Sequence, residues 1–287
     1  MPTSAGLYYF AHEAEDAKLN RPPVILIHGA GGNHLSWPPQ IRRLAGETIH
    51  ALDLPGHGQS EGTGRQSIEA YADDVAAFMQ SLKIRAAVIV GISMGSAIAL
   101  TLALKYPKKV KALALLGGGA KMRVAQTVLE TAGNPNTFES AVEAINVNCF
   151  SETAQQSLVQ LSKQSMLKMR PPVLLGDFLA CNEFNVIEQL EKINLPTLII
   201  CGVEDKMTPP KFSELLRAGI AKSTLHILDG AGHMVMLEQP DEVADLLKKF
   251  LDGIPSRRKP TKPRLTPNGE VDPAQQAESS SVTLPPK

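Results

Sequence analysis

The run Gly91-Ile92-Ser93-Met94-Gly95 constrains this chain more than any other stretch. It stands where a short apolar, β-branched segment, Ala87-Val88-Ile89-Val90, hands over to Ser96–Leu104, which is rich in helix formers and stops near Pro107. The first segment reads as a strand buried on both faces, and such strands belong to parallel sheets covered by helices. A serine on so sharp a turn takes a strained backbone conformation. Side chains two residues to either side would collide there, and Gly91 and Gly95 remove them. The hydroxyl is then lifted above the sheet at a helix N-terminus, where free N–H groups favour developing negative charge. A glycine-bracketed serine can equally be a structural helix cap, so the chemical reading requires an acid, a base and an oxyanion hole elsewhere.

The sequence supplies them in order. Leu195–Gly202 repeats the buried-strand pattern, and Asp205 follows on the loop that leaves it. Ser223–Asp229 reads as another strand, with Gly230-Ala231-Gly232-His233 on the loop after it. A serine hydroxyl attacks at neutral pH only if an imidazole takes its proton, and a buried carboxylate must hold that imidazole in the right tautomer. Of the seven histidines, His226 lies inside a strand pattern, while His12, His34, His50 and His57 follow no strand end downstream of the acid. His233 is therefore the expected base. Glu204 rivals Asp205 for the acid, with a solvated loop charge as its alternative role, and the reading takes Asp205.

Upstream, Val24–Ile27 reads as a strand running into His28-Gly29-Ala30-Gly31-Gly32. A glycine-rich turn lets backbone amides approach a substrate, and a tetrahedral oxyanion needs two such donors. The expected donors are the N–H groups of Ala30 and Met94. His28 is expected to be a structural histidine bonded inside this loop. Asp53, at the head of Asp53-Leu54-Pro55-Gly56-His57-Gly58-Gln59-Ser60, is expected to bond loop amides.

The set His28-Gly29, Asp53-x-x-Gly56-x-Gly58-x-Ser60, Gly91-x-Ser93-x-Gly95, Gly202-x-x-Asp205-x-x-x-Pro209 and Gly232-His233 resembles the α/β-hydrolase superfamily, in its capped esterase-like branch. The resemblance spans about Pro22 to Ile254 and implies a doubly wound, mostly parallel sheet with a helical cap inserted. It fixes the fold far better than the substrate, because the superfamily hosts many hydrolytic chemistries. Several departures narrow those chemistries. Ser93 stands where haloalkane dehalogenases and epoxide hydrolases carry aspartate, and Tyr8, Tyr9, Tyr71 and Tyr106 all lie outside the cap segment. Met234 follows the histidine where carbon–carbon hydrolases commonly have an aromatic residue, and Met94 replaces the tryptophan usual in proline iminopeptidases. The alternative acid position, one strand earlier, is excluded because Lys111–Leu116 ends in Gly117-Gly118-Gly119 with no carboxylate. The implied activity is a serine hydrolase cleaving small to medium carboxylic esters through an acyl-enzyme. A thioesterase, amidase or carbon–carbon hydrolase using the same triad, or a slow-turnover receptor-like binder, is the alternative.

Composition agrees with that class. Lys plus Arg and Asp plus Glu both number 29, so nothing suggests a nucleic acid or an anionic membrane surface as partner. No stretch is long and apolar enough to insert stably in a bilayer, and Met1–Asn20 does not read as a signal peptide. Cys149, Cys181 and Cys201 are odd in number and set among apolar residues, which suits free thiols and a cytoplasmic location. The expected partner is a small-molecule ester, with no cofactor and no metal.

The expected organisation is a core over residues 1–117, a cap over 118–193, the rest of the core over 194–255, and a disordered tail over 256–287. Gly6–Ala11 reads as a short edge strand; Ser36–Leu44, Ile68–Leu82 and Ser96–Lys105 read as helices. In the cap, helices are expected at Met122–Thr131, Phe138–Val147, Thr153–Lys168 and Val173–Leu190, and a last one at Pro240–Leu251. Trp37 is equally suited to the pocket wall and to the core. The tail is proline-, serine- and charge-rich and lacks the apolar surface needed to offset its ordering entropy.

Overall fold

The computed structural model describes residues 2–13 and 21–255; the tail expected at 256–287 lies outside the described residues. Within them, eight strands form one sheet: β1 (Thr3–Ser4), β2 (Leu7–His12), β3 (Val24–Ile27), β4 (Ile49–Leu52), β5 (Ala87–Ile92), β6 (Val110–Leu116), β7 (Thr197–Gly202) and β8 (Ser223–Leu228). Their order is β1-β2-β4-β3-β5-β6-β7-β8. The β1–β2 and β2–β4 pairings are antiparallel, and every other pairing is parallel. This is the doubly wound, mostly parallel sheet that the strand and helix alternation predicts.

β5 is the hub of this sheet. Gly91 stands opposite Ile27 of β3 on one side and Leu115 of β6 on the other. Its side chains alternate between two cores, as strand geometry requires. Ala87 and Ile89 join the core built with α2 (Ile68–Ser81) and α3 (Met94–Lys105). Val88, Val90 and Ile92 join the opposite core, with α1 (Pro39–Arg42) and, later in the chain, Val243, Leu247 and Leu251 of its last helix. α3 is buried from Met94 to Ala103, which explains why it is apolar all round rather than striped.

Between β6 and β7 the sheet pattern gives way to α4 (Gln126–Thr131), α5 (Phe138–Cys149), α6 (Gln156–Met166) and α7 (Pro171–Glu183). They share a small core of their own around Phe138, Val142, Ile145, Leu174 and Phe178. Pro171 and Pro172 open α7, where a missing N–H costs nothing and a fixed φ is already helical. α8 (Pro210–Gly219), α9 (Val235–Glu238) and α10 (Pro240–Asp252) complete the described residues.

Four details differ from the sequence-based expectation. β1 is the outermost strand, so the Gly6–Ala11 segment is second from the edge as β2. The helix expected over Ser36–Leu44 is a 3-10 turn at His34–Ser36 and the four-residue α1, because Pro38-Pro39 stops one and starts the other. The helix expected over Val173–Leu190 ends at Glu183, and a separate 3-10 turn spans Ile187–Lys192. The first helix after β6 begins only at Gln126, since Lys121 pairs with Asn185 in an isolated bridge.

Candidate active site

Ala30, Ser93, Asp205 and His233 each fall just after the carboxyl end of a parallel strand, and Met94 opens the helix that follows Ser93. Open α/β sheets bind their ligands at that edge. Ser93 follows β5 directly, with φ 55° and ψ −119°, and its N–H donates to the Leu116 carbonyl of β6 at 2.9 Å. α3 begins at the very next residue, two positions earlier than its apolar run suggests. The close approach demands glycine on both sides. A Cβ at Gly91 would overlap the Gly95 carbonyl, and one at Gly95 would overlap the carbonyls of Ile27 and His28. The strained serine is thus held by a strand on each side and a helix beneath it.

His233 lines the same cavity as Ser93 and meets Asp205. Asp205 Oδ2 accepts from His233 Nδ1 at 2.9 Å, and both residues are buried. That bond fixes the proton on Nδ1 and leaves Nε2 free to accept one. Asp205 Oδ1 accepts the N–H groups of Met207 and Thr208, at 2.9 and 2.7 Å. Burial alone would raise the Asp205 carboxyl, but His233 and the Thr208 amide and hydroxyl outweigh it and hold it below the usual carboxylate range. Glu204 instead accepts the N–H of Glu152 at 3.0 Å, out toward solvent.

The loop after β3 closes against the serine. A Cβ at Gly29 would stand 3.1 Å from Ser93 Cβ, so this loop approaches as closely as a bare backbone can. His28 is fully buried and serves the loop itself: Nδ1 donates to the Gly29 carbonyl at 2.8 Å, and Nε2 accepts the Leu54 N–H at 3.1 Å. Burial, then the neighbouring His57, pushes His28 down to about 4, so it stays neutral at pH 7. Asp53 bonds the N–H groups of His34 and Gln59 at 2.7 and 2.8 Å, the role expected from its turn. Met94, the first residue of α3, turns its side chain into the core, while its N–H has no partner within the helix.

A cavity of about 450 Å³ opens over these groups. Ser93, His233, Gly29 and Ala30 are among its lining, and Ile145, Cys149, Leu158, Met166, Phe178, Met207 and Met234 give it apolar walls. That volume suits a small ligand. Trp37 is both fully buried in the core and part of the cavity wall, so its two expected roles coincide. Asp205 stands behind His233 rather than in the cavity. Among the described residues no group of three or more His, Cys, Asp or Glu could hold a metal ion, and no helix is long and apolar enough to cross a membrane.

Three neighbours of the site went unseen in the sequence. The Thr208 hydroxyl lies 2.8 Å from the Gly117 carbonyl, 2.9 Å from Asp205 Oδ2 and 3.2 Å from His233 Nδ1. Gly117, at φ 45°, leaves room beside the imidazole, where a Cβ would come 3.1 Å from His233 Nδ1. Glu238 clamps the histidine loop by accepting from Gly232 N–H at 2.9 Å and Ser151 N–H at 2.8 Å. Only Thr208 carries a readable local signal. An aspartate followed by turn residues and proline commonly bonds its own downstream amides.

The family model described as the alpha/beta hydrolase fold matches residues 22–240. The chain belongs to the α/β hydrolase fold family. Among curated relatives of this α/β hydrolase is the pimeloyl-[acyl-carrier protein] methyl ester esterase of Neisseria meningitidis. It is 29% identical over 245 residues, covering 80% of this chain and 94% of that protein. The 3-oxoadipate enol-lactonase 1 of Acinetobacter baylyi is 25% identical over 241 residues, covering 82% and 90%. A solved structure of a thermophilic esterase superposes with a TM-score of 0.73 at 31% identity, over 88% of this chain and 100% of that one. The relatives of this α/β hydrolase are esterases and other hydrolases, and ester hydrolysis is the chemistry they support for it.

Proposed function

We propose that this chain is a serine carboxylesterase acting on small to medium carboxylic esters through an acyl-enzyme. One observation carries the reading: Ser93 on its strained elbow and an Asp205-bonded His233 line the same cavity as the Gly29–Gly32 loop. Ser93 Oγ attacks the ester carbonyl while His233 Nε2 takes its proton. The tetrahedral oxyanion is received by the N–H groups of Ala30 and Met94. His233 then hands the proton to the departing alcohol, leaving the acyl group on Ser93. Water, deprotonated by the same imidazole, releases the acid and restores the serine. Asp205 keeps the imidazole oriented and steadies its charge at each transfer.

Residues 118–193 act as a cap in this scheme. α5, α6 and α7 supply Ile145, Leu158, Met166 and Phe178 to the cavity, which favours an apolar acyl or alcohol group. Methionines at Met166, Met207 and Met234 suit varied shapes of that group. The relatives extend the class to methyl esters and to lactones, which are cyclic esters. The test is a chain-length series of p-nitrophenyl esters run beside a lactone, a thioester and an amide. Repeated turnover of the short and medium esters, lost in Ser93→Ala, is the expected result. At most one equivalent of product per enzyme would mark a binding protein instead, and preference for the thioester or amide would replace the substrate class.

A further inference from the structure

A carboxylate that takes no part in this chemistry sits at the back of the oxyanion loop. Asp177, on α7, is fully buried. Its Oδ2 accepts the Gly31 N–H at 2.9 Å and His57 Nε2–H at 2.7 Å, and its Oδ1 accepts the Tyr71 hydroxyl at 2.6 Å. The Tyr71 oxygen already accepts the Arg65 N–H at 2.9 Å, so its proton goes to Asp177. Three donors converge on this carboxylate, two on Oδ2 and one on Oδ1.

The countercharge is His57. Its Nδ1 lies 3.0 Å from the Pro55 carbonyl and its Nε2 faces Asp177, so both ring nitrogens point at acceptors. Only the imidazolium satisfies both. Burial alone would lower His57, but the charge and hydrogen bond of Asp177 and the Pro55 carbonyl outweigh it and raise it above its ordinary value. The other groups facing this ring are the Asp53 carboxylate, the Tyr71 ring at 6.2 Å and the neutral His28 ring at 4.8 Å.

The network reaches the site through peptide geometry. The Gly29 carbonyl is held by His28 Nδ1 and by the Gly32 N–H at 3.1 Å. In a trans peptide the C=O and the following N–H point opposite ways, so the Ala30 N–H is directed away from those partners. The next peptide is fixed from its other end, because the Gly31 N–H is tied to Asp177. Gly31 has φ 66°, and a Cβ there would come 2.8 Å from Leu174 Cδ1, also on α7. Ala30 is thus pinned on both flanks.

We infer that Asp177 is a positioning residue, through which the helical segment between β6 and β7 sets the direction of the Ala30 N–H. The inference rests on the esterase reading above. An ion pair brought in from α7 then couples the seating of that segment to the oxyanion hole, with no contact to substrate.

Asp177→Asn is the decisive variant. An asparagine can satisfy Tyr71 through its oxygen and a neutral His57 through its amide, but that orientation turns the amide toward Gly31 and leaves its N–H without an acceptor. An oxyanion donor acts chiefly in the transition state, so kcat should fall about tenfold or more while KM for a neutral p-nitrophenyl ester stays within about twofold. A trifluoromethyl ketone, whose adduct carries the oxyanion, should bind more weakly by the same factor. Tyr71→Phe removes the Oδ1 bond and the acceptor of the Arg65 N–H but leaves Oδ2 and its bond to Gly31 in place, and should keep kcat within about twofold. Wild-type kcat in Asp177→Asn, or an equal kcat loss in Tyr71→Phe, overturns the inference. Ser93→Ala, run beside them, separates the two claims: retained turnover there sinks the esterase reading, whereas a normal Asp177→Asn beside an inactive Ser93→Ala sinks this inference alone. Should Asp177→Asn not fold, nitrogen NMR of the wild-type enzyme decides. His57 should lose its ring proton at a higher pH than an unperturbed imidazole, and a ring that loses it at a lower pH overturns the ion pair on which the positioning depends.

Discussion

His233 Nδ1 and Asp205 Oδ2 stand 2.9 Å apart, both side chains shut away from solvent, while Glu204 one residue earlier bonds a backbone amide at the surface. Two adjacent carboxylates therefore have opposite surroundings. Asp205→Asn should lower kcat by about 10³- to 10⁴-fold, because the amide no longer fixes the imidazole tautomer or stabilises its charge. Glu204→Gln should stay within about threefold of wild type. Steady-state kinetics on one ester decides, and a larger loss in Glu204→Gln would exchange the roles.

Ser93, the proposed nucleophile, has a backbone conformation that disfavours any side chain. Ser93→Ala should abolish turnover by about 10³-fold or more with folding intact. Ser93→Gly should be equally inactive and more stable by about 1 kcal/mol, since glycine tolerates φ 55°. Denaturant melts of the two variants test this, together with mass spectrometry of a phosphonate adduct. A phosphonate on any serine other than Ser93 would refute the nucleophile assignment.

Gly95 separates the end of β3 from the elbow. Gly95→Ala should destabilise by about 3 kcal/mol or more, because its Cβ has backbone rather than a flexible side chain to displace. Urea midpoints against wild type measure this. A variant with an unshifted midpoint would mean that the two turns are less tightly packed than described.

Thr208 offers one hydroxyl proton between the Gly117 carbonyl and Asp205. Thr208→Val keeps the shape and removes that bridge, so kcat should fall by about three- to tenfold, whereas Thr208→Ser should restore it. The pair of variants separates the hydroxyl from the methyl group. Equal rates in both would leave Thr208 a packing residue.

His57 contributes stability with a defined sign. Its folded value is raised by Asp177, so its contribution is full below the unfolded value near 6.5 and declines as pH rises through the folded value. The stability gap between wild type and His57→Gln should therefore narrow on going from pH 6 to alkaline pH. Denaturant titrations across that range check the direction, and a gap that widened with pH would contradict the ion pair.

Much of this was legible because it is local. The periodicity of Ala87–Val90 marks β5, and the two glycines of the elbow mark a turn that admits no other residue, both within one short run. Asp205 and His233 were readable because each follows a strand, the buried β7 and the edge strand β8, in the order the chemistry needs. Helix ends in the segment between β6 and β7 were less legible: Pro171-Pro172 could break a helix or begin one, and only its packing made it a beginning.

The sequence by itself determined the doubly wound sheet, the elbow and the residues offered for the triad, because strand burial, turn sterics and helix propensity act between neighbours along the chain. Only the tertiary structure decided that Asp205 rather than Glu204 faces the imidazole, that Thr208 and Gly117 flank it, and that Asp177 ties α7 to the Gly29–Gly32 loop. Asp177 lies 146, 120 and 106 residues from Gly31, His57 and Tyr71. No periodicity spans such separations. The contacts exist because the parallel crossovers bring distant loops to one edge of the sheet, and a buried carboxylate there is stable only when every one of those partners arrives.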